Sequence, residues 1–537
     1  MYHWRIATEL GNRRVPSPAE ARSLLRFITC GSVDDGKSTL IGRLLHDTGS
    51  VPDDQLARLS ADSRRWGTQG SAIDYALLLD GLSAEREQGI TIDVAYRYFA
   101  TPRRTFIVAD TPGHRQYTRN MASGASTADL AVLLVDAQKG VLTQTRRHAL
   151  IVSMLGVRHL VLAVNKMDLV GYDQRVFKPI VAEFETFAAR LGFASIACIP
   201  MAAKSGENVA GETAAMPWYA GPTLLEYLEQ VEAREAVDSL PLRLPVQLVS
   251  RPSPHFRGYA GTIAAGTLRV GMAVRILPVG NAARIARIVT ADGDLPEAVA
   301  GQAVTVVLDE DIDVSRGDMI ADALQPATVA DTLDASVLWV ADAPLDTERS
   351  YLLKAGTATV PARVEAPRQG TDVETGSLVV MTSLAKNEVG KVRVHLDGKL
   401  AFDTYARSRG TGGFILIDRL SNETAAIGLV EKIVALPEPA AAPGEAWPAL
   451  TGESSWRSLA KAFCWRALGS LGTMVLALAL THDRALAAVI GGGEVLTKIA
   501  VFYLHERVWA RVSFGLTHDR RGEWTRSATV AHRPRMG

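Results

Sequence analysis

The apolar run Leu25-Arg26-Phe27-Ile28-Thr29-Cys30 passes directly into Gly31-Ser32-Val33-Asp34-Asp35-Gly36-Lys37-Ser38, and helix-forming sequence follows from Thr39 to His46. A strand, a glycine-punctuated loop and a helix in that order constrain the fold more than any other feature of the chain. The loop fits G-x-x-x-x-G-K-[ST]. Its glycines let backbone N–H groups turn toward phosphate oxygens, and the helix offers its positive end. Lys37 is placed to bridge β- and γ-phosphates, and the Ser38 hydroxyl to hold Mg2+. A glycine-rich turn before an ordinary helix is the plainer alternative; the apolar strand on one side and the helix on the other argue against it.

Three further motifs follow in order. Asp110-Thr111-Pro112-Gly113-His114 closes an apolar run, Thr105 to Ala109. Asp110 is expected to hold Mg2+ through water. Gly113 can offer its N–H to the γ-phosphate, and His114 lies where an attacking water must be oriented. In Gly89-Ile90-Thr91-Ile92, Thr91 has the position of a switch threonine that completes the Mg2+ shell while γ-phosphate is present. An ordinary strand threonine remains open at that point. Asn165-Lys166-Met167-Asp168 ends another apolar run. The Asp168 carboxylate can accept from guanine N1–H and N2–H2, whereas adenine presents an unprotonated N1 there. A buried acceptor left unpaired costs roughly 1–3 kcal/mol, which sharpens the choice of base. Asn165 is expected at the base edge and Lys166 over the ring. Lys37, Thr91 and His114 are the catalytic candidates, Ser38, Thr91 and Asp110 the metal ligands. GTP and Mg2+ are the implied cofactors.

At 537 residues the chain is too long for one core. Residues 1–25 read as an extension and 26–236 as a mostly parallel sheet with helices on both faces. From 241 the period becomes that of short strands, which predicts one small β-barrel over 241–330 and a second over 331–436. The second barrel is expected to be short around Gly370–Gly398. A Pro/Ala-rich linker spans 437–455, a helical hairpin 456–517 and a disordered basic tail 518–537. The fold class is therefore an α/β P-loop GTPase domain followed by two small β-barrels and a C-terminal helical hairpin. Fifty-eight basic residues balance fifty-eight acidic ones, so no net field draws the chain to nucleic acid. Cys30, Cys198 and Cys464 lie far apart, with neither a disulfide framework nor zinc spacing. No apolar stretch near Met1 resembles a signal peptide, and a cytoplasmic location is expected.

The four motifs resemble the translation-factor GTPases typified by elongation factor Tu. A fuller resemblance is to the GTP-binding large subunit of bacterial ATP sulfurylase, sulfate adenylyltransferase subunit 1. It is carried by Gly67-Thr68-Gln69-Gly70, Asp80-Gly81-Leu82-Ser83-Ala84-Glu85-Arg86-Glu87-Gln88-Gly89 and Gln116-Tyr117-Thr118-Arg119-Asn120-Met121. Met216-Pro217-Trp218-Tyr219, Phe256-Arg257-Gly258-Tyr259-Ala260-Gly261 and Ile417-Asp418-Arg419-Leu420-Ser421-Asn422 extend it through roughly residues 24–436. The resemblance implies a heterodimer. A small subunit makes adenosine 5′-phosphosulfate and pyrophosphate from ATP and sulfate, and the large subunit hydrolyses GTP to drive that step. A translation-elongation-type GTPase delivering RNA is the alternative, and the sulfurylase-type segments in both barrels argue against it. One departure is local. The family's Ser-Ala-Leu stands here as Ala202-Ala203-Lys204, which keeps a backbone contact to guanine at Ala203 and removes a bracing hydroxyl, so weaker affinity is expected. No second phosphate loop follows residue 436, so a fused kinase is not expected.

Ala467–Leu480 is uncharged, and Ala485–Leu504 is interrupted only by Glu494 and Lys498. Those two are one helical turn apart and can pair. Lys461, Arg466, Arg507 and Arg511 flank the outer ends, as in a hairpin with both ends cytoplasmic. A soluble hairpin packed on the barrels is the other reading. The segment resembles a small uncharacterised domain predicted to be membrane-associated, through Glu494-x-x-x-Lys498 and Tyr503-Leu504-His505-Glu506-Arg507-Val508-Trp509. Contact with the inner membrane through 456–517 is the expectation.

Overall fold

The computed structural model describes residues 23–66, 73–79, 91, 93–232, 237–253 and 256–434. The expectations for the segments 67–70 and 80–90, the linker, the hairpin and the basic tail lie outside the described residues, as do residues 1–22. Among the described residues no helix is long and apolar enough to cross a membrane.

Six strands form one sheet: β1 (Ser23–Cys30), β2 (Ala95–Ala100), β3 (Arg104–Asp110), β4 (Leu130–Asp136), β5 (His159–Asn165) and β6 (Ser195–Pro200). Their order is β2-β3-β1-β4-β5-β6, with β2 alone antiparallel. β4 is buried along its whole length, as a strand covered on both faces must be, and this is why Leu130–Asp136 is unbroken apolar sequence up to its last residue. On one face α1 (Lys37–Asp47) buries Leu40, Ile41 and Leu44, beside Leu224 and Leu228 of α6 (Leu224–Gln230). α3 (Thr118–Ala125), α4 (Thr143–Met154) and α5 (Gln174–Ala188) contribute Met121, Ile151 and Phe184 to the core on the other face. α2 spans Asp53–Trp66. The chain runs to one side of β1 through β2 and β3, then returns to its other side with β4. That reversal opens a crevice at the carboxyl ends of β1 and β4, where open α/β sheets bind ligands.

The first barrel runs through Arg243–Pro245, Met319–Asp322, Ala273–Leu277, Asn281–Thr290, Ala303–Leu308, Phe256–Thr262 and Leu248–Ser253. Its first and last strands are separated by only two residues, so the chain itself closes the ring. The second barrel closes by hydrogen bonding, because Thr328–Trp339 pairs with both Thr424–Ile433 and Val389–Phe402. The stretch expected to be short there carries instead a hairpin, Gln369–Thr371 with Leu378–Val380, and the fourteen-residue strand Val389–Phe402. Glycines at 370 and 390 lie opposite each other in that pairing, which lets strands approach but weakens the sequence signal for them.

One buried ion pair joins the barrels. Arg243 and Asp403 side chains are 2% and 3% exposed, and Arg243 Nε and Nη2 donate to the two carboxylate oxygens at 2.7 and 3.0 Å. Arg243 Nη1 donates to the carbonyls of Leu242 and Gln325, and Thr411 Oγ1 to Asp403. Every arm of the pair is therefore satisfied, the condition under which a buried pair is tolerated. Burial pushes the Asp403 carboxyl up, but the hydrogen bond and charge of Arg243, with Thr411, hold it below its ordinary value.

Asp403→Asn leaves the guanidinium buried without a counter-charge, with an expected loss of about 3–5 kcal/mol, read as a lower denaturant midpoint by tryptophan fluorescence. Because the native carboxyl is depressed, its contribution is present above the ordinary carboxylate range near pH ~4 and is lost as pH falls through the lowered value. Acid melts of wild type and variant are therefore expected to converge.

Candidate functional site

The phosphate loop leaves the apolar β1 and enters α1 at Lys37, through Gly36 at φ 93°. A Cβ at Gly36 would lie 2.5 Å from Asn165 Nδ2, so sterics and backbone conformation both require glycine. Lys37 is buried and donates to the carbonyls of Gly31 at 3.3 Å and Ser32 at 2.7 Å. Burial lowers its ammonium from the usual value, against the pull of Asp110 and Asp35. Ser32 N–H donates to Asp35 Oδ2 at 2.6 Å. Ser32 Oγ and Asp35 Oδ1 are buried without partners; such orphaned polar atoms point to a ligand that completes the loop. Val33 is half-buried, and Asp34 is exposed at φ 67°.

β3 pairs with β1 so that Thr29 faces Asp110. Thr29 Oγ1 donates to Asp110 Oδ1 at 3.2 Å and Ser38 Oγ to Asp110 Oδ2 at 2.7 Å. Thr111 Oγ1 donates to Thr29 O. A hydroxyl and a carboxylate meeting beside the lysine are hard oxygen donors of the kind Mg2+ takes together with phosphate oxygens and water, and the donor set fits that ion. Thr91 is half-buried in irregular backbone, and among the described residues no hydrogen bond joins its hydroxyl to Ser38 or Asp110.

Pro112 and Gly113 are buried, and Gly113 packs on the phosphate loop itself. A Cβ there would lie 2.6 Å from Lys37 Nζ and 2.7 Å from Gly31 O. His114 is exposed. Its ring turns back on its own turn, where Nδ1 accepts from Gln116 N–H at 3.3 Å. Two residues that the motifs do not name support this region. His148 of α4 is fully buried, and its Nδ1 accepts from Gly31 N–H at 2.9 Å. Gln144, one turn earlier, lies 2.8 Å from His148 Nε2 and donates to Gly113 O. Burial, then Lys37 and Arg147, push the His148 imidazole down to about 3, so it serves as a neutral acceptor. The signal for it was the i, i+4 spacing of Gln144 and His148 on one helix face.

Asn165 ends β5 and is buried. Its Nδ2 donates to Asp35 O at 2.8 Å, and its Oδ1 accepts from Ala203 N–H at 2.9 Å. The expected base-edge residue is thus also a strut between two loops. Lys166, at φ 62°, donates to Asp136 Oδ2 at 2.9 Å. Asp136 ends β4 opposite Asn165. It belongs to the site although no motif marks it; its place at the end of an apolar run, like Asp110, was the available signal. Met167 is buried, with its N–H on Met201 O, and Asp168 is half-exposed with no side-chain hydrogen bond to a described residue. The loop that carries Ala202 is held by backbone bonds. Ala202 N–H donates to Glu207 O, Gly206 N–H to Ala202 O, and buried Asn208 donates to Pro200 O. Cys30 lies under the loop, and burial pushes its thiol up to about 12, an inert packing group.

Residues 22–236 match the elongation factor Tu GTP binding domain, 332–431 the GTP-eEF1A C-terminal domain-like family, and 459–510 a family described as predicted membrane protein (DUF2061). Sulfate adenylyltransferase subunit 1 of Citrobacter koseri is 54% identical over 429 residues, 80% of this chain and 90% of that one. The protein of the same name from Methylorubrum extorquens is 54% identical over 422 residues, 79% and 90% of the two chains. The bifunctional enzyme CysN/CysC of Xylella fastidiosa is 56% identical over 412 residues, 77% of this chain and 66% of that longer one.

Removing the strut by Asn165→Ala deletes two buried hydrogen bonds and is expected to weaken binding of a fluorescent GTP analogue about tenfold or more. Ala202→Ser, which restores the bracing hydroxyl, is expected to tighten it, by less than that factor. His148 is neutral when folded and takes a proton near pH ~6.5 when unfolded. Stability of the nucleotide-free protein therefore falls as pH drops below that value, by up to about 1.4 kcal/mol per unit. His148→Gln, which keeps an acceptor for Gly31, should remove that slope in thermal melts between pH 7 and 5.

Proposed function

The chain belongs to the sulfate adenylyltransferase subunit 1 family of GTPases, and on that premise we propose that it hydrolyses GTP to drive sulfate activation on a separate small subunit. The partner joins ATP and sulfate into adenosine 5′-phosphosulfate and pyrophosphate. Sulfate is a poor nucleophile and the mixed anhydride is high in energy, so the step needs an external drive. A drive of this kind requires an element whose two states the partner distinguishes.

Within that reading the residues divide by task. Lys37 and the backbone N–H groups of the loop after Ser32 hold the phosphates, those of Gly31 and Ser32 being engaged by His148 and Asp35, while Ser32 Oγ donates to the anion that satisfies it. Ser38 and Asp110, with Thr91 once it closes on them, would hold Mg2+, which would supply charge neutralisation to the phosphates. His114 leaves its cap on Gln116 and orients the water that attacks the γ-phosphorus; phosphate departs and GDP remains. Asp168, which no described side chain engages, accepts the guanine N–H groups, and Lys166, steadied by Asp136, lies over the ring. The single observation that supports this assignment best is the cluster Thr29, Ser38, Asp110 and Lys37 at the crevice of a chain so similar to that family. The tail is part of the proposal: residues 456–517 hold the assembly at a membrane surface.

Full-length protein combined with a cognate small subunit is expected to form adenosine 5′-phosphosulfate in a GTP-dependent manner. Lys37→Ala and His114→Ala should each reduce the GTP-dependent rate about 10²–10³-fold. Formation that proceeds equally without GTP would refute the coupling. In flotation with anionic vesicles the full chain should rise and a chain ending at residue 455 should not; a full chain that stays at the bottom removes the membrane contact.

A further inference from the structure

The carbonyl of Arg115, the residue after His114, is gripped from two directions. Thr118 Oγ1 donates to it at 2.8 Å from the first turn of α3, and Asn387 Nδ2 donates to it at 3.1 Å from the second barrel. Asn387 is 4% exposed. It occupies the turn leading into Val389–Phe402 at φ 68°, with its N–H on Trp339 O at 2.8 Å. On the other side of the histidine, Gly113 O accepts from Gln144. His114 is therefore bracketed, with α4 holding the carbonyl before it and the second barrel the carbonyl after it.

Tyr405 and Arg409 also dock this barrel, and both reach backbone remote from the switch turn. Tyr405 Oη donates to Leu155 O at 2.8 Å, and Arg409 donates to the carbonyls of Ala128 and Gly156. Asn387 touches the switch turn itself. Its Oδ1 is buried and has no partner among the described residues, so the Arg115 carbonyl is the contact through which its amide is held.

We infer that Asn387 is a positioning residue for GTP hydrolysis. Its Nδ2 holds the Arg115 carbonyl and so fixes the backbone from which His114 swings toward the nucleotide. The second barrel thereby sets how readily the histidine reaches the water. The inference rests on His114 as the water-orienting group and is independent of sulfate coupling.

Asn387→Asp keeps the shape and loses the donor; Asn387→Gly loses the whole amide. Both tolerate the left-handed backbone, and Asn387→Gly in addition buries no charge. In full-length protein, single-turnover phosphate release from GTP is expected to slow about threefold to tenfold in each. KM for GTP should stay within about twofold, and amide exchange at Gln116 and Tyr117 should quicken while that of the barrel strands is unchanged. Combined with His114→Ala, either variant should add no further loss. Unchanged turnover in both Asn387 variants, or losses that multiply in the double variant, overturns the proposal. His114→Ala with normal turnover would overturn the histidine's role instead, so the two failures are distinguishable.

Discussion

The amide of Asn165 carries the geometry of the nucleotide site. The phosphate loop leaves β1 and the loop at Ala202–Ala203 leaves β6, and β4 and β5 lie between those strands in the sheet. No ladder of backbone bonds can set the distance between two loops so far apart. A planar group with a donor on one side and an acceptor on the other can, and Asn165 uses both, on Asp35 O and Ala203 N–H. An aspartate would lose the donor arm. The glycine at 36 follows from the same constraint, since any side chain there would meet the amide. The separation between the phosphate-binding and base-reading loops is thus fixed by one residue at the end of a central strand.

The sequence carried the parts of the site that are local. A loop between strand and helix, a carboxylate closing a strand and a tetrapeptide after another strand are contiguous patterns, and each lies at the carboxyl end its position implied. The relations between those ends were not legible. Asp136 pairs with Lys166 across adjacent strands, and His148 reaches Gly31 from a helix more than a hundred positions away. Periodicity identifies which face of an element is buried, but not which loop a buried polar group will meet. The barrels show the same divide. Alternation announced short strands, whereas closure of the first ring by a two-residue interval in the chain is a fact of topology. The segment around Gly370–Gly398 was misjudged because its paired glycines, which permit close strands, look like turn residues in one dimension.

The apolar core of the nucleotide domain does not stop at its boundary. Leu338, Val340, Val389 and Leu429 of the second barrel join the cluster built on Met121, Ile151 and Phe184. Over this apolar floor, Tyr405 and Arg409 donate to backbone oxygens rather than to matched side chains. Separating the bodies would expose the floor to water, at roughly 25 cal/mol for each Å². Beside the floor, Arg146 with Glu374 and Arg190 with Ser377 add side-chain pairs that hold the two in register.

The fully satisfied pair of Arg243 and Asp403 has a mechanical consequence. With its arms also bonded to Leu242, Gln325 and Thr411, it joins the two barrels where they meet, and the small cluster of Leu277, Met319, Ala321 and Ala327 fills the seam beside it. Neither barrel can tilt alone without stranding a charge in the interior. Any rotation of one barrel would therefore carry the other with it. The ion pair converts two modules into a single lever.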